Sequence, residues 1–166
     1  GALDAAIANY DSALKIKPDH VAALTNKGNA LQDKGDARAA IASYKSAIEI
    51  EPQNAATHYQ MGVALKSMGA FDAAIGSYKQ ALKIKPAFAD AYYNMGNVLK
   101  DKGELDAAID SFKQAIKFKP NHTEAFSNMG NALLDKRELG AAIDSYKQAL
   151  KIKPDYAEVH YNLSFP

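Results

Sequence analysis

The stretch that decides the fold runs from residue 93 to residue 120 and reads YNMGNVLKDKGELDAAIDSFKQAIKFKP. Close copies of its beginning read TNKGNAL, YQMGVAL and SNMGNAL, and they start at Thr25, Tyr59 and Ser127. All four copies are spaced 34 residues apart. A fixed period of this length is typical of a repeat architecture, in which each unit buries its apolar face against the next unit.

Each repeat holds two segments whose apolar residues recur with helical spacing. In the first complete repeat they predict helices over Val21–Lys34 and Ala37–Ile50. Proline ends every repeat, at Pro18, Pro52, Pro86, Pro120 and Pro154. A glycine between the two segments, at Gly35, Gly69 and Gly103, is replaced by Arg137 in the last complete repeat. These boundaries predict a helical hairpin in each repeat.

A second glycine lies inside the first helix of every hairpin. It recurs at Gly28, Gly62, Gly96 and Gly130. Glycine in a helix interior costs about 1 kcal/mol relative to alanine, so a repeated glycine implies a compensating gain. Because the second helix carries small residues such as Ala108 and Ala115, we expect the glycine to let the two backbones approach closely.

These residues resemble the tetratricopeptide repeat, whose pattern is W-x2-L-G-x2-Y, then A-x3-F, then P, with a period of 34 residues. The matching residues are Tyr92, Met95, Gly96, Leu99, Ala108, Phe112 and Pro120. The resemblance implies an all-α fold, a right-handed superhelical solenoid of antiparallel helix pairs. It divides a single domain, 1–166, into a second helix (1–18), four whole repeats (19–52, 53–86, 87–120 and 121–154) and a first helix (155–166). That last helix is expected from about Asp155 to Phe165.

In this family the first helices line the concave wall of the solenoid. The resemblance therefore places two columns of amide side chains, with neighbouring tyrosines and charges, in a groove that would bind a peptide. The candidate peptide-binding residues are Asn26, Asn29, Tyr59, Gln60, Tyr93, Asn94, Asn97, Lys100, Asp101, Asn128 and Asn131. An amide both donates and accepts, so it can hold a peptide backbone without reading side chains. Alternatively, the asparagines bond within their own repeat or coat a solvated face, and Tyr59 and Tyr93 pack between repeats.

The amide columns are similar to the asparagine ladder in the repeat region of O-linked N-acetylglucosamine transferases. They differ from the repeats that clamp a terminal carboxylate, which need Lys and Arg in the groove. Here the corresponding positions hold Thr25, Tyr59, Tyr93 and Ser127. Acidic residues such as Asp90 outnumber lysines on the expected wall, which favours a neutral to basic extended peptide.

Composition excludes several classes of function. The formal net charge of +1, from 20 Lys and Arg against 19 Asp and Glu, gives no broad basic surface for nucleic acid. No apolar run approaches a membrane span, and the absence of cysteine fits a cytoplasmic protein. The carboxylates Asp106 and Asp110 are spaced i, i+4, but they lack histidine partners, so we interpret them as solvated, with Lys113 pairing with Asp110 at i+3. His20 and His122 fall in turns, and no pair of histidines has metal spacing. We therefore predict no enzyme activity, no metal and no cofactor.

The leading hypothesis is a protein–protein interaction scaffold that binds an extended peptide in its concave groove. The alternatives are the substrate-recognition region of a larger transferase and a self-associating structural scaffold. Weak head-to-tail association is expected because the helices at both ends should present uncovered packing surface. Those surfaces are formed by Ala6, Ile7, Tyr10 and Leu14 at one end and by Val159, His160 and Leu163 at the other.

Overall fold

The computed structural model describes residues 1–164, and this range contains ten α-helices. Their bounds are Ala2–Ile16 (α1), Val21–Asp33 (α2), Ala37–Ile50 (α3), Ala55–Ser67 (α4), Phe71–Ile84 (α5), Ala89–Asp101 (α6), Leu105–Phe118 (α7), Thr123–Asp135 (α8), Leu139–Ile152 (α9) and Ala157–Ser164 (α10). The predicted all-α class is confirmed, and the bounds predicted in the first complete repeat hold to within one residue. The last helix starts two residues later than predicted, and its predicted end at Phe165 lies outside the described residues.

The chain divides into two compact units, residues 1–86 with α1 to α5 and residues 87 onward with α6 to α10. In each unit every helix contacts the next one along the chain. The first helices of neighbouring repeats also contact each other, α2 with α4 in the first unit and α6 with α8 in the second. Each unit therefore presents a face made of adjacent first helices.

The turn inside each hairpin depends on a left-handed residue. Gly35 has φ +89°, its N–H donates to Gln32 O at 2.9 Å, and the N–H of Asp36 donates to Leu31 O at 2.9 Å. These two bonds satisfy carbonyls that the end of α2 leaves without helical partners. The side chain of Asp36 then accepts from the N–H of Ala39 at 3.0 Å and caps α3.

Arg137 adopts the same conformation without being glycine. Its φ is +64°, its N–H donates to Leu134 O at 2.8 Å, and the N–H of Glu138 donates to Leu133 O at 2.9 Å. The hydrogen bonds of the motif are thus kept, while a residue with a Cβ occupies a region that costs roughly 1–2 kcal/mol for non-glycine residues. This turn is strained relative to its glycine equivalents.

The glycine inside each first helix accommodates an aromatic ring. A Cβ added at Gly96 would lie 2.7 Å from Cε1 of Phe112, and one added at Gly62 would lie 2.6 Å from Cε1 of Tyr78. Phe112 and Tyr78 are fully buried. The prediction that this glycine permits close packing of the hairpin is confirmed, with one difference: what approaches it is the ring from the second helix rather than its backbone, because a helix surface without a Cβ leaves a hollow of suitable shape.

The two end helices differ in how far they are covered. No residue of α1 is buried, and Ile16 at its end is 88% exposed. In contrast, Val159 on α10 is fully buried, so the expectation that it forms part of an uncovered surface is wrong. The helix α10 contacts α9, and Val159 lies on its packed side. Head-to-tail association stays a prediction.

None of the described helices could serve as a membrane span. Crossing a bilayer takes about 20 predominantly apolar residues, whereas the longest described helix, α1, has 15 residues.

Candidate peptide-binding face

In the first unit, a cavity of about 540 Å³ opens beside α2, α4 and the turns that precede them. Its wall includes Ala22 and Ala56, one from each of the two first helices, together with Thr25 and Asn26. The two alanines occupy equivalent positions in neighbouring repeats, and their short side chains leave room. Asn26 is exposed on α2, so its amide is open to a ligand in this cavity.

Two threonines of the cavity wall join the helices α2 and α4. Thr25 Oγ1 and Thr57 Oγ1 are 3.3 Å apart and share a hydrogen bond between α2 and α4. Asn54 caps α4 by accepting from the N–H of Thr57 at 3.1 Å and donates to Glu51 Oε2 at 3.1 Å. These bonds hold the cavity wall in place before any ligand arrives.

Asn29 is engaged within its own hairpin. The hydroxyl of Tyr44 on α3 donates to Asn29 Oδ1 at 2.8 Å and approaches Gln32 Oε1 at 3.2 Å. Burial, with a smaller contribution from the charge of Asp33, raises the pKa of Tyr44 to about 12, so the hydroxyl stays a donor. Asn29 therefore orients a core tyrosine, which is the bonding within a repeat that the sequence left open.

The asparagines of the second unit bond to one another across repeats. Asn128 Nδ2 donates to Asn97 Oδ1 at 2.7 Å, and Asn162 Nδ2 donates to Asn131 Oδ1 at 2.9 Å. Asn131 Oδ1 also accepts from the hydroxyl of Tyr146 at 2.6 Å. These bonds tie α6 to α8 and α8 to α10. Whether the remaining donors and acceptors of these amides also hold a peptide stays a prediction.

The two predicted groove tyrosines both contact core rings. The ring centroid of Tyr59 lies 6.0 Å from that of Tyr78, and Tyr93 lies 6.1 Å from Phe112. The hydroxyl of Tyr93 also accepts from Asn128 Nδ2 at 3.2 Å. Both rings are half-buried, so each one packs against its hairpin and keeps an edge on the face.

The remaining predicted residues lie on the same helices. Gln60 on α4, Asn94 on α6 and Lys100 on α6 are half-buried, and Asp101 at the end of α6 is exposed. Asn94 has an interaction partner within the protein. The structure thus places the predicted residues on the first helices of the two units and commits several of their polar groups to internal bonds. That they bind a peptide stays a prediction.

A polar cluster lies where α8 begins. His122 is 5% exposed, and its ring centroid is 4.7 Å from that of Tyr93. His122 Nδ1 is 3.1 Å from Glu124 Oε2, and His122 Nε2 is 3.9 Å from Asp90 Oδ1. Three polar or charged groups therefore converge beside an aromatic ring.

The electrostatics of this cluster favour the neutral form of the imidazole. Burial is the main cause that lowers the pKa of His122, and the charge of Lys119 adds to it, against the opposing effect of Glu124 and Asp90. The pKa of Glu124 is also lowered, chiefly by a hydrogen bond from its own backbone N–H. A neutral imidazole next to an ionised carboxylate donates through Nδ1, which leaves Nε2 as an acceptor.

Sequence reasoning missed His122, which it placed in a turn without a function. The turn is confirmed, since His122 precedes the first residue of α8, but its burial was not foreseen. A signal was available in the acidic side chains that recur one period apart at Asp90, Glu124 and Glu158. Side chains at the same repeat position lie at equivalent places on neighbouring first helices. Acidic side chains at this position therefore indicate a negatively charged surface, and Asp90 and Glu124 lie beside His122.

The carboxylates on the second helices form ion pairs at the surface. Lys113 Nζ lies 3.5 Å from Asp110 Oδ1, as predicted, and Lys136 Nζ lies 2.5 Å from Asp106 Oδ1. Among residues 1–164, no three His, Asp or Glu side chains are grouped so that they could hold a metal ion.

Comparison with known proteins decides the family. A profile described as TPR repeat matches residues 1–35, 28–69, 64–103 and 130–164, and one described as tetratricopeptide repeat matches residues 89–122. Together these matches cover nearly the whole chain. The chain is a tetratricopeptide repeat protein.

Solved structures of other tetratricopeptide repeat proteins resemble it closely. MamA superposes with a TM-score of 0.89 at 31% identity, covering 94% of this chain and 91% of that one. YrrB, described as a TPR protein with an unusual peptide-binding site, gives a TM-score of 0.86 at 24% identity over 99% of this chain and 84% of its own. MamA from Desulfovibrio magneticus RS-1, a chain from residue 41 to the end, gives a TM-score of 0.87 at 18% identity, covering 95% of this chain and 89% of that one. Among curated protein sequences, none matches significantly.

Membership in this family makes the protein a helical scaffold of the kind that mediates protein interactions. Tetratricopeptide repeats are generally not catalytic themselves. The likeness of its asparagine columns to the transferase ladder stays a prediction, because the bonds seen here join the asparagines to one another and to core tyrosines.

Proposed function

We propose that the protein is an interaction scaffold that binds an extended, neutral to basic segment of a partner protein along its first-helix faces. The observation that carries the proposal is the cavity of about 540 Å³ in the first unit, with Asn26 exposed on its wall. An extended peptide fits such a site because its backbone donors and acceptors are unpaired and its alternate side chains can enter pockets.

Asn26 differs from the other asparagines in a way that suits this role. Asn29 holds Tyr44, and Asn97, Asn128 and Asn131 hold neighbouring groups, whereas Asn26 lies exposed beside the alanines of the cavity. An amide at this place can accept from and donate to the same peptide group. The MamA and YrrB structures support the proposal through their shared fold, and the description of YrrB as having a peptide-binding site adds a precedent for that fold.

The test is a peptide array probed with the labelled full chain, followed by fluorescence anisotropy with the best peptide. Replacing Asn26 by Ala should weaken that peptide by roughly twofold to tenfold, the value of one lost hydrogen bond. The matched control is Asn9→Ala, which changes an exposed asparagine of α1, a second helix outside the face. An array without any binding peptide, or equal losses in the two variants, would contradict the proposal.

A further inference from the structure

The cluster at the start of α8 contains one buried acceptor that lacks a donor. We call the group of Asp90, Tyr93, His122 and Glu124 the acidic cup. In the neutral imidazole, His122 Nδ1–H donates to Glu124 Oε2 at 3.1 Å and Nε2 is an acceptor, and this buried atom has no hydrogen-bond partner. The charged atom that faces it, Asp90 Oδ1 at 3.9 Å, is also an acceptor. A buried acceptor that faces another acceptor is unfavourable unless a donor enters between them.

The protein's own cation satisfies this need poorly. Lys119 Nζ is 4.0 Å from Asp90 Oδ1, and the side chains of Lys119 and Asp90 are 50% and 54% exposed. An ion pair at that distance between exposed groups contributes little. Asp90 therefore has only a weak ion pair with Lys119, and His122 Nε2 stays without a hydrogen-bond partner.

An aromatic ring completes the cup. Tyr93 packs against the His122 ring and is held by the bond from Asn128 Nδ2 to its hydroxyl. The apolar body of a ring that is fixed in this way can contact the methylene groups of a long basic side chain. Acceptors around a fixed aromatic ring suit a cation that carries several N–H donors.

The acidic residues are not needed for the repeat itself. The repeat position of Asp90 and Glu124 is held in the first unit by Ala22 and Ala56, and the helices there have the same length of 13 residues as α6 and α8. Carboxylates that the fold does not require, placed beside a buried unpartnered acceptor, indicate a ligand.

We propose that the acidic cup binds the cationic side chain of a lysine or arginine in the partner peptide, an inference that rests on the proposed function. The cation donates to the carboxylates of Asp90 and Glu124, and its methylene groups lie beside Tyr93. Since Asp90 is more than half exposed, its side chain can move outward and admit one N–H to His122 Nε2. Such charge-assisted bonds are the strong ones at protein surfaces.

The cup has a built-in dependence on pH. The groups that face His122 are Asp90 and Tyr93 from α6, Lys119 at the end of α7 and Glu124 on α8. A protonated imidazole would donate to both carboxylates and bring its own positive charge, so it would compete with the ligand. Because burial lowers the pKa of His122, we expect cation binding to be constant above the ordinary histidine range and to weaken as pH falls below it.

The experiment uses a probe that does not depend on knowing the partner. N-acetyl-arginine-N-methylamide is titrated into the ¹⁵N-labelled full chain to tens of millimolar, and amide shifts are followed by NMR. The neutral control is the citrulline analogue, which has the same shape without the charge. The variant Asp90→Asn with Glu124→Gln removes both carboxylates, and Asp110→Asn with Asp144→Asn is the matched control on the second helices. The arginine titration is repeated on the full chain at about pH 5, below the ordinary histidine value.

The expected result is a saturable set of shifts confined to α6, α8 and the turn before α8. The citrulline probe should produce no such shifts. The affinity for the arginine probe should be about tenfold weaker or more in the cup variant and unchanged in the control variant. The affinity of the unmodified chain should be weaker at about pH 5. Equal shifts from citrulline, equal affinity of the cup variant, or no saturable shift at all would overturn the proposal. A peptide that binds on the array while the arginine probe fails would overturn the cup and leave the proposed function standing.

Discussion

The hydroxyl of Tyr78 should destabilise the protein, while the same hydroxyl in the equivalent Tyr146 should stabilise it. Both rings are buried over a glycine of the preceding helix. Tyr146 donates to Asn131 Oδ1 at 2.6 Å, whereas the Tyr78 hydroxyl is buried without a partner. The reason lies one helix away, since the position equivalent to Asn131 is held by Val63.

The magnitudes follow from these two environments. Tyr146→Phe removes one hydrogen bond, which contributes about 0.5–1.5 kcal/mol, and leaves Asn131 Oδ1 still bonded to Asn162. Tyr78→Phe removes a buried hydroxyl whose missing bond costs about 1–3 kcal/mol. The two substitutions are chemically identical, yet they should change the free energy of unfolding in opposite directions. The two changes should differ by at least about 1.5 kcal/mol. Phe112 shows that the repeat accepts phenylalanine at this position.

The assay is urea unfolding followed by circular dichroism, with the slope compared between variants because repeat proteins can lose cooperativity. A second test adds an acceptor: in a double-mutant cycle, Val63→Asn should make the Tyr78→Phe substitution less favourable by about 0.5–1.5 kcal/mol. If Tyr78→Phe destabilises the protein as much as Tyr146→Phe, the Tyr78 hydroxyl has a partner and the reasoning is refuted. If Val63→Asn does not change the effect of Tyr78→Phe, an asparagine at this position is not the acceptor for the tyrosine hydroxyl, and the role assigned to Asn131 would be contradicted.

Three further predictions concern stability. Gly96→Ala should destabilise the protein by about 1–3 kcal/mol because its Cβ would meet the Phe112 ring. Gly76→Ala, in a helix with open space around it, should stabilise the protein by up to about 1 kcal/mol. Equal urea midpoints of the two variants would refute the packing argument. Arg137→Gly should raise the free energy of unfolding by about 1 kcal/mol by relieving the left-handed strain, and a loss of stability in thermal unfolding would contradict this. The folded state lowers the pKa of His122 below its ordinary 6.5, so the unfolded chain binds the extra proton first and stability should fall as pH drops below that value. His122→Asn should flatten this decline in the urea midpoint. An identical pH profile of the variant and the unmodified protein would contradict this prediction.

The sequence by itself determined the helices and the family. Proline, glycine and the apolar period act through neighbouring backbone and through contacts that every repeat makes in the same way. For this reason the bounds of α2 and α3 were predictable to within one residue, and the need for Gly96 could be argued before any contact was known. The local pattern also placed the amide and tyrosine columns on the first helices.

Only the tertiary structure decided what those side chains do. An asparagine on a helix surface has the same local properties whether it bonds a ligand, as Asn26 is free to do, or a tyrosine fifteen residues away, as Asn29 does. Likewise the burial of His122 depends on Tyr93 in the preceding repeat, and that of Val159 on the packed side of α10. Propensity is set within a few residues of the chain, whereas hydrogen-bond partners and burial are set by atoms that only folding brings together.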